Sequence, residues 1–292
     1  MMRLFDALVF GLTLGGTYAL VALGLNLQYG VARILNLAYG EMMIAAAFVG
    51  MLLFTRWGIS PLLSAVIIIP LAIALGALLY RVAFVPLVKR APTRDALEGD
   101  TILSTFGLLF LLQGVMLAIF GGNYQSYSYL ATPIEIGSTI VATNRLIGMV
   151  VALVMGALMF WMLKATRMGT ALRAVAVNPD SAPLVGVDVR RIGMWAFAIG
   201  TALVAVAGVL TSMFSTFSAS MGVLFTMKAM IVIIMGGVGN FAGCVVAALL
   251  LGLTESMVSS FLDPGLTLAS NYAIFLIILV FKPTGLFGKA GR

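Results

Sequence analysis

The sequence predicts an all-α polytopic membrane protein, a helical bundle of about 8–9 transmembrane spans with one or two broken or re-entrant segments. Three observations carry this prediction. Of 292 residues, 62% are hydrophobic and only 9% are charged, with a mean hydropathy of +1.14. A soluble domain needs about 25% charged residues to cover its surface. The apolar residues fall in long runs, most of them near the ~20 residues that cross a hydrocarbon core. Backbone groups in lipid must bond within their own segment, so these runs are helices.

The runs fall at about 4–28, 37–55, 61–85, 102–120, 146–163, 192–215, 224–238, 243–262 and 267–281. The first follows Met1-Met2-Arg3; it is too long for a signal-peptide core and ends without a small-residue cleavage site, so it reads as a retained span. The seventh is short, holds Lys228 and ends in Gly236-Gly237-Val238-Gly239, which marks it as a broken or re-entrant element. The ninth is also short.

Basic residues set the orientation. Lys89, Arg90 and Arg94 share one connection, Lys164, Arg167, Arg173, Arg190 and Arg191 another, and Lys282, Lys289 and Arg292 form the tail. Connections rich in Lys and Arg stay in the cytoplasm, so the C-terminus is expected inside. Nine crossings then put the N-terminus outside, and eight would reverse it. The connections 121–144 and 215–223 are expected outside, the former with Tyr124, Tyr127 and Tyr129 as interfacial aromatics beside Glu135. The net charge of +7 is largely this topology signal and not a nucleic-acid footprint.

Composition also excludes chemistry. The single Cys244 rules out a disulfide framework or a multi-cysteine metal site, and the absence of histidine removes the commonest general base and metal ligand. No Gly-x-x-x-x-Gly-Lys-Ser/Thr loop or hydrolase motif occurs, so no catalytic residue is assigned and energy must come from a partner or an ion gradient.

The most informative soluble stretch runs over 164–191. Within it, Asn178-Pro179-Asp180-Ser181-Ala182-Pro183-Leu184-Val185-Gly186 has the grammar of a short helix. Asn178 can cap it, Pro179 suits the first position, Asp180 complements the dipole and Gly186 ends it. Pro183 limits regular bonding to about one turn. Such an element on the basic side is what a soluble motor would grip; the plain alternative is a structured loop.

Asp180-Ser181-Ala182 with Gly186 resembles the Glu-Ala-Ala…Gly coupling motif of ABC importer permeases. Gly169–Ala174, Gly24–Gly30, Asn36–Glu41, Gly236–Gly243 and Lys282–Gly288 are similar, in order and over nearly the whole chain, to the branched-chain amino acid permease family. The length fits the shorter, LivH-type subunit better than the LivM-type one. One departure is Tyr39, where the family often has histidine. The resemblance implies one permease domain over 1–292 in the bacterial inner membrane, importing branched-chain amino acids or related solutes by alternating access. It implies a second permease of LivM type, two cytoplasmic ATPases that use ATP and Mg, and a soluble substrate-binding protein. This chain would bind no cofactor itself.

Two interruptions of apolar runs are pathway candidates: Asn36, Tyr39, Gly40 and Glu41, and Gly236, Gly237, Gly239, Asn240 and Gly243. Asn36-Leu37-Ala38 and Asn240-Phe241-Ala242 echo each other, and paired breaks in the two halves of a transporter point to its pathway. Interfacial turns with a chance echo are the alternative. Glu41 and Glu255 are the acids nearest span interiors and the coupling carboxylates of a second reading, an ion-gradient-driven transporter. For Glu41, beside Gly40 and a turn, placement at the interface is preferred. A third class is a non-transport membrane protein. Small residues recurring on one face, Ala196, Gly200 and Gly208, and Gly148, Ala152 and Gly156, read as packing faces.

Overall fold

The computed structural model describes residues 2–90, 94–136 and 139–288. Lys289 and Arg292 of the basic tail lie outside the described residues. Helix α1 (Met2–Leu27) runs into a π turn, Gln28–Ala32, and α2 spans Tyr39–Trp57. Gly58, at φ 65°, ends α2, and Ser60 with Pro61 starts α3 (Pro61–Leu79). A second π turn, Tyr80–Phe84, carries α3 into α4 (Val85–Arg90), and α5 follows (Arg94–Phe120). Then come β1 (Pro133–Ile136), β2 (Thr139–Ala142), α6 (Thr143–Ala165), α7 (Arg167–Val177), α8 (Val189–Ser212), α9 (Gly222–Gly236), α10 (Phe241–Phe261) and α11 (Thr267–Phe281).

Among the described residues, eight helices are long and apolar enough to cross a membrane, and α9 is a shorter apolar helix of 15 residues. Helices α1 and α8 form the buried centre, while α3, α5 and α11 turn Leu71, Leu103 and Val280 outward, the surface expected against lipid. Glycine lets α1 and α10 meet backbone to backbone. A Cβ built at Gly11 would lie 2.7 Å from the Cα of Leu253, and one at Gly15 would lie 2.9 Å from that of Leu249. The pairing 11 with 253 and 15 with 249 makes the two helices antiparallel.

That pairing decides the parity. The C-terminal end of α1 lies at the α9–α10 junction, where Asn26 Oδ1 accepts the Gly239 amide at 2.8 Å. The segment after α11 reaches the same end, with the Leu286 amide donating to Met235 O at 2.7 Å. The start of α1 and the end of α11 are therefore at opposite ends of the bundle, which requires an odd number of passes and selects nine over eight.

Two of the connections are packed onto the bundle. Residues 215–223 do not form an open loop: Phe217, Ser218 and Ala219 are buried, and Phe217 packs edge-on against Phe48 with centroids 5.1 Å apart. Its backbone is satisfied by mutual bonds with Gln125 of 2.8 and 3.0 Å. Helix α9 rises only about 22 Å, and this inserted segment, buried beside Phe48, leads into it. In 121–144, Tyr127 and Tyr129 pack on Phe54 and Tyr127 bonds Ser212 Oγ at 2.8 Å, so only Tyr124 stands exposed. The β1–β2 hairpin, pairing Pro133 with Ala142 and Ile136 with Thr139, was not expected. Four-residue strands are too short to leave a periodic signal.

Candidate functional site

The first break begins where α1 gives way to its π turn. Arg33 follows at φ 55° and α2 starts only at Tyr39, which releases backbone groups deep in the bundle. Polar side chains take them up. Asn36 Oδ1 accepts the Ala38 amide at 3.1 Å, and Asn36 Nδ2 donates to Gln28 Oε1 at 3.2 Å. Gln28 Nε2 donates to Phe197 O at 3.1 Å, Tyr39 OH to Gly200 O at 2.8 Å and the Gly40 amide to Thr226 Oγ1 at 2.8 Å.

Gln28, Asn36, Tyr39 and Glu41 are all buried. The interfacial placement preferred for Glu41 is therefore wrong. Its carboxylate lies against Gly222 in the first turn of α9, and neither carboxylate oxygen has a hydrogen-bond partner among the described residues. The reason is tertiary: the break starts α2 at mid-bundle depth, and the inserted segment brings the start of α9 to the same level.

The second break, between α9 and α10, is a glycine turn. Gly237 and Gly239 have φ of 95° and 80°, conformations that disfavour a side chain. Asn240 Oδ1 caps α10 by accepting the Gly243 amide at 3.0 Å, and Asn240 Nδ2 donates to Phe287 O at 2.9 Å. Gly243 presses on Gly236. The echo between the breaks is thus partial: Asn36 bonds two residues ahead in a turn, Asn240 three residues ahead as a helix cap.

This turn lines a cleft of about 610 Å³ together with Arg33, Lys164, Arg173 and Phe287. The fold so brings the Gly236–Gly243 motif, the tail motif and the basic connection to one place, while Asn36–Glu41 stays deeper. Three glycine substitutions are expected to differ for local reasons. Gly243→Leu would drive a side chain into the Gly236 carbonyl, Gly239→Leu enters open space at a strained φ, and Gly156→Leu meets only Leu23 Cδ1 at 3.9 Å. Abundance should fall at least tenfold for the first, follow a cost of about 1–2 kcal/mol for the second, and hold for the third. Quantitative immunoblotting of membranes checks the order.

The 164–191 connection is built from caps. Thr166 Oγ1 accepts the Gly169 amide at 3.0 Å to start α7, whose Leu172 and Val175 are buried. Asn178 Oδ1 accepts the amides of Asp180 and Ser181, each at 3.1 Å. Asp188 Oδ1 starts α8 by accepting those of Arg190 and Arg191 at 3.0 and 3.1 Å. The short helix itself is smaller than expected: a 3-10 turn over Ala182–Val185, with Pro179 outside it. Pro183 has no amide to extend it, and Gly186 ends it at φ 79°.

Ala182 faces inward at 3% exposure, whereas Leu184 and Val185 stand 86% and 76% exposed. These two apolar side chains are absent from the residues singled out by sequence. Their signal was available, since a single turn with one inward alanine must turn its neighbours out.

Comparison with known proteins follows the same lines. The family described as "Branched-chain amino acid transport system / permease component" matches residues 7–282. The chain is similar to the high-affinity branched-chain amino acid transport system permease protein LivH of Salmonella typhimurium, 30% identical over 96% of this chain and 94% of that protein. It is also similar to the corresponding BraD protein of Pseudomonas aeruginosa, 29% identical over 97% and 95% of the two chains. Among solved structures it resembles PsaBC from Streptococcus pneumoniae in complex with Fab, with a TM-score of 0.54 at 16% identity over 98% of this chain and 94% of that one. At that identity the likeness shows fold alone.

Proposed function

The chain belongs to the branched-chain amino acid transport permease family, and from this premise we propose how it works as the membrane-spanning half of an ATP-binding-cassette importer. Its partners are a second, LivM-type permease, two cytoplasmic ATPases that use ATP and Mg, and a soluble binding protein that delivers a branched-chain or related amino acid. The end of the bundle carrying Lys89, Lys164, Arg173 and Lys282 faces the cytoplasm, in keeping with the bias of basic residues. The odd number of passes then puts the start of α1 outside.

The observation that carries the mechanism is the exposed apolar turn at Leu184 and Val185 on that basic end. The turn is short, fixed by Asn178 and Gly186, and continuous through the Asp188 cap with the central helix α8. A load applied there by closing ATPases is passed to α8, and through it to α1, α2 and α3. Alternating access follows if this push rocks the buried centre against the outer helices. The broken elements at Asn36–Glu41 and Gly236–Gly243 support the pathway in this reading, since irregular backbone at membrane depth survives where protein satisfies it.

The full complex reconstituted in liposomes should take up leucine only with ATP and the ATPases present. Liposomes holding this chain alone under a proton or sodium gradient should take up none; uptake there would transfer the function to an ion-coupled carrier. A thiol at Val177, in a Cys244→Ala background, should react with an impermeant reagent from the ATPase side alone.

A further inference from the structure

Lys228 of α9 and Glu255 of α10 form an ion pair within the bundle, Nζ lying 2.8 Å from Oε1 and 2.9 Å from Oε2. Nζ also donates to Tyr18 OH at 2.7 Å and stands 4.8 Å from the centre of that ring. Tyr18 OH and Asn271 Nδ2 donate to Oε2 at 3.0 and 3.1 Å. Four helices, α1, α9, α10 and α11, thus meet on one pair of charges. Glu255 sits six residues before the end of α10, about 9 Å of helix rise below that end.

A pair of this kind is an expensive way to join helices. Both ions lose water, and apolar residues of similar size commonly hold as well or better. Nor is the pair enclosed: the two side chains keep 14% and 15% exposure and form the polar wall of a cavity of about 480 Å³. Leu14, Phe214, Met221 and Phe225 give the cavity an apolar wall, beside Thr17 and Thr211. That volume is in the range of small-ligand sites, which combine an apolar lining with a few converging polar groups.

We propose that this cavity is a station for the zwitterionic amino acid on its way through the permease, with Lys228 taking the substrate carboxylate, Glu255 its ammonium group and the apolar wall its side chain. The inference rests on the transport function proposed above and adds the substrate's seat within this chain. The chemistry is an exchange of pairs. The internal bond between Lys228 and Glu255 opens as two external ones form, so no ion is left unpaired in the bundle. Tyr18 and Asn271 hold the Glu255 carboxylate in place during the exchange. The cavity also touches Ser215 and Thr216 of the inserted segment, at the end of the bundle away from the basic connection, where a binding protein would deliver its load.

The test uses the full reconstituted complex with its ATPases and binding protein. Lys228→Met with Glu255→Gln removes both charges together, so neither is orphaned. It is expected to lose leucine uptake at least tenfold. Exchanging the charges, Lys228→Glu with Glu255→Lys, should recover part of the uptake.

A second measurement does not depend on those variants folding. A thiol at Thr216, in the Cys244→Ala background, should react several-fold more slowly during leucine turnover. Wild-type uptake by the neutral double variant overturns the proposal. So does raised basal ATP hydrolysis in that variant without protection at 216, which marks a latch between helices. Absence of leucine uptake by the wild-type complex removes the function itself, and the station with it.

Discussion

Replacing Leu184 and Val185 together by glutamate is expected to abolish uptake by the complete importer while the subunit stays at wild-type abundance in the membrane. Both side chains already face solvent at 86% and 76% exposure, so the isolated subunit loses little when they change. Burying one such side chain in a partner's groove is worth about 1.5–3 kcal/mol. Losing both weakens the proposed ATPase docking by roughly 3–6 kcal/mol, or about two to four orders of magnitude in affinity. Two carboxylates forced into an apolar groove add a desolvation penalty.

The measurement is co-purification of the ATPases together with uptake in liposomes. Wild-type uptake and co-purification by the double variant would place the docking surface elsewhere. Ala182→Glu is a poorer probe of the same idea. Ala182 is 3% exposed, packed inside the turn, so a glutamate there would unseat the turn from the bundle. Loss of transport by that variant would report local misfolding as readily as lost docking.

Gly252→Leu is expected to have the largest effect on folding. A Cβ at 252 would fall within contact of the Gly15 amide and lie 2.6 Å from the Gly11 carbonyl, so the new atoms meet backbone that cannot rotate away. Helices α1 and α10 would have to separate along their whole seam. In a membrane this matters more than in water, because lipid tails supply no hydrophobic drive to close the gap and association rests on close packing. Overpacking a fitted core costs about 1–3 kcal/mol where side chains can shift, and more where only backbone is available.

Gly114→Leu is the control, since nothing lies within 4 Å of a Cβ there. Abundance and melting temperature in detergent should collapse for Gly252→Leu and hold for Gly114→Leu. Equal behaviour of the two would mean that the seam is not the stabilising contact this geometry indicates.

The glycines also show where reading by sequence stops. The stretch around Gly252 is one apolar run among nine, whereas Gly148, Ala152 and Gly156 stand at four-residue spacing. Yet a Cβ at Gly156 would meet only Leu23 Cδ1, at 3.9 Å, while one at Gly252 meets backbone. Spacing reports that a face is small; it does not report which neighbour comes to it.

Within one segment, the sequence alone determined a great deal: the spans, their order, the short seventh run, the basic ends, and the stop at Gly186. Run length, hydropathy and capping act over a few residues, so they are written locally. The tertiary structure alone decided whatever depends on which segments meet. It selected nine passes, buried Phe217–Ala219, carried Glu41 to the start of α9 and joined Tyr18 to Glu255 across 237 residues of chain. Residues so far apart leave no mark on each other's neighbourhood in the sequence. Their pairing is set by how helices of unequal length, two of them broken, fill a common volume with their backbone groups satisfied.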